Sequence, residues 1–204
     1  MKLYYSPGAC SQAVHIVLEE CGLPYRIEKV DLVSGATESG KALADINPKK
    51  AVPVLELDDG AHLTEGPVIA QFVADSAGRL DLMPAGGSRQ RYRVMEWQNF
   101  LTSEVHKAYT PLFKPQVDAA SKTFFRKTLR SRYAWIEDQL AGKTHLTGDA
   151  FTAADAYLFV TASWAPMVDV DLSGLANLDA FVHRVRQRPA VRRVLAAEGL
   201  LGSQ

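Results

Sequence analysis

Cysteine is scarce in this chain, which has only Cys10 and Cys21 among 204 residues, and that scarcity excludes a disulfide-stapled scaffold. Read on a single helix, the two lie about 16 Å apart along its axis, against the roughly 7 Å of Cα separation that a disulfide tolerates, so no pairing is expected. An excess of either charge is also missing. Lys plus Arg and Asp plus Glu each number 23, so no bulk attraction to nucleic acid or an anionic membrane follows. No apolar run approaches the roughly 18 residues of a membrane span. The stretch before Ser6-Pro7-Gly8 is far too short for the apolar core of a secretory leader, and a cytoplasmic protein is expected. None of His15, His62, His106, His145 and His183 stands at ligand spacing from another, so no metal site is expected. What is present, 47% hydrophobic and 23% charged residues, suits a globular chain with one or two cores.

The informative stretch is Tyr5-Ser6-Pro7-Gly8-Ala9-Cys10-Ser11-Gln12-Ala13. A short strand precedes it, Ser6-Pro7-Gly8 is turn chemistry, and from Ala9 the apolar positions Ala13, Val14, Val17, Leu18 and Cys21 recur at helical steps. Cys10 is thereby placed at a helix N-terminus, where free N–H groups and the positive end of the macrodipole favour a thiolate. Ser11 beside it reads either as a donor to a thiolate or as a helix cap. Cys21, on the apolar stripe, reads as an inert core residue.

The rest follows in order. Residues 25–32 alternate as a strand, 33–40 are loop-like, 41–46 form a short helix, and 51–57 and 61–64 form a hairpin around Asp58-Asp59-Gly60. Glu65-Gly66-Pro67 opens a helix with a buried stripe of Val68, Ile69, Phe72, Val73 and Ala77. The order β-α-β-α-β-β-α is that of a small thioredoxin-like sheet. Beyond Met83-Pro84-Ala85-Gly86-Gly87 the pattern is helical, over 89–110, 118–140, 152–168 and 175–188, with a last short helix from Pro189. The expected fold is an α/β thioredoxin-like domain over 1–78, a linker over 79–87 and an all-α domain over 88–204. Thr152 and Asp155 fit an Asp variant of the capping box, and Asp155 is assigned to holding that helix start rather than to catalysis.

Residues Met1 to Ser11, Asn47-Pro48-Lys49, Val52-Pro53, Leu63-Thr64-Glu65-Gly66, His106-Lys107 and Phe151 to Tyr157 together make the chain resemble, over nearly its whole length, a bacterial beta-class glutathione S-transferase. The resemblance implies a homodimer that takes glutathione as co-substrate and holds no permanent cofactor, with a helical domain completing the pocket for a small electrophilic, hydrophobic substrate. It implies that Cys10, Ser11 and His106 are catalytic. It implies glutathione contacts from Cys10, Val52, Pro53 (expected cis), Glu65, Gly66, Asn99, Ser103, His106 and Lys107, with Glu104 reaching the glutathione of the partner subunit. Asn99, Ser103, His106 and Thr110 also share a face by helical spacing. Tyr109, Phe113 and Trp164 read as a co-substrate wall or, equally, as helix-core aromatics. Gly35 stands where the family carries a lysine for the glycyl carboxylate of glutathione, and Lys50 is the candidate replacement. The implied activity is conjugation of glutathione to electrophiles. The alternatives are glutathione-dependent disulfide exchange, peroxide reduction or reductive dehalogenation through Cys10, and a non-catalytic glutathione-binding module.

Overall fold

A computed structural model of the chain describes residues 1–202. These fall into two compact units, Met1–Pro84 together with the segment from Gln187 onward, and Ala85–Arg186. The first unit is built on a five-stranded sheet in the order β3-β2-β1-β4-β5, from β1 (Lys2–Tyr5), β2 (Arg26–Asp31), β3 (Ala36–Thr37), β4 (Val54–Glu56) and β5 (His62–Thr64). Strand β1 runs parallel to β2, with Leu3 opposite Ile27, and antiparallel to β4, with Leu3 opposite Leu55. A parallel pair needs a crossover, and helix α1 (Ser11–Cys21) supplies it. The short helix α2 (Leu43–Ile46) follows β3, and α3 (Gly66–Ser76) follows the β4–β5 hairpin.

Three expectations for this unit are corrected. The stretch 33–40 is not wholly loop: Ala36–Thr37 pairs antiparallel with Val30 and Asp31, after a turn in which Gly35 has a φ of 71°. A two-residue strand is too short to leave a periodic pattern. Helix α1 does not bury a single face, because every residue from Ser11 to Leu18 is buried. Helix α3 packs against it, and so does α9 (Pro189–Ala197), which returns to this unit from the far end of the chain. On α3 the buried residues are Ile69, Ala70, Val73 and Ala74, whereas Val68 is exposed.

The second unit is helical, with α4 (Arg89–Phe100), α5 (Lys107–Tyr109), α6 (Ala119–Leu140), α7 (Ala153–Ser163) and α8 (Ala176–Arg186). The helix expected over 89–110 is interrupted, since between α4 and α5 Leu101–His106 forms a π-helical turn. Helix α7 is buried from Ala153 to Ala162, with α4 and α8 packed on it, and a 3₁₀ turn over Ala165–Val168 follows Trp164. The capping box forms as read: the buried Asp155 carboxylate accepts from the Thr152 N–H at 2.8 Å and the Thr152 hydroxyl at 2.7 Å. Its second oxygen accepts from the Leu146 N–H at 2.8 Å, so the preceding loop is tied to the same carboxylate. No helix among the described residues is long and apolar enough to cross a membrane.

Candidate active site

Strand β1 ends at Tyr5, and the Ala9 N–H closes a turn on the Ser6 carbonyl at 3.0 Å, with Pro7 second and Gly8 third at a φ of 70°. That is the type II pattern, in which only the third residue needs positive φ and glycine accepts it without strain. Cys10 follows as the N-cap residue of α1. Its Sγ lies 3.2 Å from the Val52 carbonyl oxygen, a hydrogen bond in which the thiol donates. Burial pushes this thiol up to about 11, outweighing the opposite pull of the Cys10 and Ser11 amides, and the Glu65 charge adds to the rise. The expected thiolate is thus corrected: the helix N-terminus is present, but desolvation of the charged form dominates. Ser11 is corrected too. Its hydroxyl is fully buried, donates to the Ser6 carbonyl at 3.2 Å and accepts from the Ser6 N–H at 3.1 Å, so it pins the turn and neither caps α1 nor faces a thiolate.

Val52-Pro53 is cis, as expected. Val52 is buried, and its N–H donates to no other described residue. Pro53 sits beside Gly66, where an added Cβ would stand 3.8 Å from the proline ring. Glu65, the N-cap of α3, holds a φ of 70° without being glycine, a backbone position that costs energy and clusters at ligand sites. Its carboxylate takes Lys49 Nζ at 2.5 Å, and the same ammonium donates to Thr64 at 2.7 Å. Lys50 is exposed with a φ of 54°. Gly35 needs its positive φ to turn β2 into β3, with its N–H on the Asp31 carbonyl at 2.8 Å, so a lysine there would be strained.

In the helical unit, the π turn ends at His106 and alters the register on which Asn99, Ser103, His106 and Thr110 were placed on one face. That reading assumed 3.6 residues per turn, and a π turn is wider. Asn99, Ser103 and Lys107 are exposed. Glu104 is held by Arg132 of its own chain, with Nη2 to Oε2 at 2.8 Å. His106 Nδ1 lies 2.6 Å from the Tyr157 hydroxyl, and its ring meets Trp164 edge-on with centroids 4.9 Å apart. Burial, with a smaller contribution from the Lys107 charge, pulls this imidazole down to about 4, so it is neutral at physiological pH. Trp164 also contacts Tyr109 at 5.4 Å and Phe113 at 6.2 Å, which brings the three aromatic candidates together. Tyr109 itself is fully buried with its hydroxyl donating to Tyr133 at 3.1 Å, a core residue, whereas Phe113 is half exposed.

Two residues escaped the sequence reading. Tyr157, named there only within a motif, is the partner of His106. Glu198, near the end of the chain, has a fully buried carboxylate that accepts from the Gly8 N–H at 2.9 Å, from Gln12 Nε2 at 2.9 Å and stands 2.8 Å from His15 Nδ1. These partners bracket Cys10 on both sides. A lone glutamate after a short helix carries no local signal of that role.

Residues 7–76 match the family model described as glutathione S-transferase, N-terminal domain, and residues 100–189 that of glutathione S-transferase, C-terminal domain. The chain is 42% identical over 200 residues to the glutathione S-transferase GstA of Escherichia coli O157:H7, covering 98% of this chain and 100% of that protein. It belongs to the glutathione S-transferase family. The transferase also superposes on the solved structure of a sphingomonad glutathione S-transferase complexed with glutathione, with a TM-score of 0.94, 42% identity and coverage of 98% of this chain and 100% of that one. A bacterial beta-class glutathione S-transferase of Sphingomonas chungbukensis gives a TM-score of 0.95 at 41% identity, with the same coverage. Like these relatives, the transferase has a thioredoxin-like sheet domain followed by helices.

Proposed function

We propose that this transferase conjugates glutathione to electrophilic hydrophobic compounds, a detoxifying reaction in which the glutathione thiolate attacks an electrophilic carbon and expels its leaving group. The observation that carries the reading is the Cys10 thiol donating to the Val52 carbonyl. A protonated cysteine, pushed up to about 11, is a poor nucleophile but a good neighbour for the thiolate of another molecule, to which it can donate. The Val52 backbone would pair with the cysteinyl unit of glutathione as an added strand, with Pro53 alongside. Glu65 would take the γ-glutamyl ammonium, and the Gly66 N–H at the start of α3 its carboxylate. Lys50 is the proposed cation for the glycyl end. From the helical unit we assign Asn99, Ser103, His106 and Lys107 to glutathione, and Phe113 and Trp164 to the electrophile. Glu104 is assigned to the glutathione of a partner subunit in a cytoplasmic homodimer, which requires it to leave Arg132.

Positioning the two reactants and stabilising the thiolate supply the rate. The test is a Cys10→Ala variant assayed for conjugation of an aryl halide and for reduction of a glutathione mixed disulfide. Conjugation is expected to persist within about tenfold, with little disulfide reduction in either protein; a disulfide reduction present in the wild type and lost in the variant would identify Cys10 as a redox nucleophile. Loss of conjugation by a factor of about 10³ or more would instead identify Cys10 as the centre of a covalent mechanism.

A further inference from the structure

We propose that Tyr157 is a positioning residue for the transfer reaction, its hydroxyl donating to His106 Nδ1 and so fixing the imidazole as the tautomer that carries its proton on Nε2. The inference rests on the role given to His106 above and deepens it by naming what sets that role. The contact is 2.6 Å. At this separation the two groups are hydrogen-bonded, and the Tyr157 O–H is a proton that a ring nitrogen can accept. Acidity points the same way: a phenol is a natural donor to the lone pair of a neutral imidazole. The imidazole is neutral because burial disfavours its charged form.

The ring is also held in rotation. Tyr157 meets it at 85° with centroids 6.0 Å apart, and Trp164 meets it at 69° and 4.9 Å. Tyr157 stands on the buried helix α7, two residues after Asp155, so its hydroxyl is presented from a rigid element. With Nδ1 occupied as an acceptor, Nε2–H is the donor that remains for a reacting group. In a neutral histidine, the hydrogen bond at one nitrogen decides what the other can do. His106 on this reading offers a fixed hydrogen bond to a thiolate or to a departing anion, and no net charge.

The tautomer is read directly from long-range ¹H–¹⁵N correlation spectra of the full-length protein, with the His106 resonances assigned by their loss in His106→Asn. The wild type is expected to show a protonated Nε2 and an unprotonated Nδ1 throughout pH 6 to 8. In Tyr157→Phe, which removes one oxygen, the pattern is expected to move toward a mixture of tautomers. The kcat with glutathione and an aryl halide is expected to fall about tenfold while the KM for glutathione stays within about twofold. A protonated Nδ1 in the wild type overturns the proposal, as does a Tyr157→Phe protein with unchanged tautomer or a raised KM alone. Should that variant not fold, the wild-type spectrum still decides the tautomer. If the spectra behave as expected but kcat is unchanged in both Tyr157→Phe and His106→Ala, the placement of His106 in the reaction fails while the tautomer assignment stands.

Discussion

Cys10 shows how a residue's position and its chemical state are decided separately. Its position follows from the turn and the helix around it, and both are local. Its state follows from burial, which disfavours the thiolate, and the proton it keeps is donated to the Val52 carbonyl, 42 residues away. With the thiol at about 11, the thiolate fraction at pH 7 is on the order of 10⁻⁴, against about 3% for an ordinary cysteine. Alkylation of Cys10 by iodoacetamide, followed by peptide mass spectrometry in short pulses, is therefore expected to be at least about 100-fold slower than that of a model thiol at pH 7. The rate should climb about tenfold per pH unit up to about pH 10. A plateau reached by pH 8 would show that the helix N-terminus, not desolvation, governs the group. His106 teaches the same lesson with the opposite sign of charge: nothing beside it in the sequence announced Tyr157, 51 residues on, or the burial that keeps the ring neutral.

Helices whose ends carry their own instructions were legible as elements. The start of α7 was readable because Thr152 and Asp155 lie three residues apart and bond each other's neighbourhood. Thr152→Ala is expected to cost about 1 kcal/mol, which for a chain of this size lowers the melting temperature by about 2–4 °C, with Thr152→Ser recovering most of it. An unchanged melt would mean that packing along the buried face of α7 makes the cap redundant. The start of α1 was legible for a similar reason, through Pro7 and Gly8. The elements that went unread were those with no residue-level signature. Strand β3 is two residues long, and the π turn over Leu101–His106 is continuous in sequence with the helices on either side of it. A π turn inserts one residue into a hydrogen-bonded ladder, and no residue type marks the insertion, so the shared face inferred for Asn99, Ser103 and His106 rested on the wrong period.

At the scale of the whole molecule, the last helix is the largest departure from a reading taken in chain order. The segment from Gln187 onward packs with the thioredoxin-like unit, and Glu198 reaches the turn and helix around Cys10. Arg188 and Arg193 add ion pairs to Glu20 and Glu19 on α1, at 2.6 Å each. Glu198→Ala leaves the Gly8 amide, the Gln12 amide and the His15 ring without their buried acceptor, and a loss of about 3 kcal/mol in denaturant unfolding is expected. A loss below about 1 kcal/mol would show that water replaces the carboxylate and that the tail is not a clamp. The sequence by itself determined the order of most elements, the turn that presents Cys10 and the cap on α7, because each is written in residues a few positions apart, and its scattered motifs pointed to the family, whose resemblance implied the cis proline at Val52-Pro53. Tertiary structure alone decided that Cys10 is a thiol, that His106 is neutral, that Ser11 pins a turn and that Glu198 belongs to the same neighbourhood. Those outcomes depend on desolvation and on hydrogen-bond partners brought from distant parts of the chain, and a charged form survives burial only where such a partner is supplied.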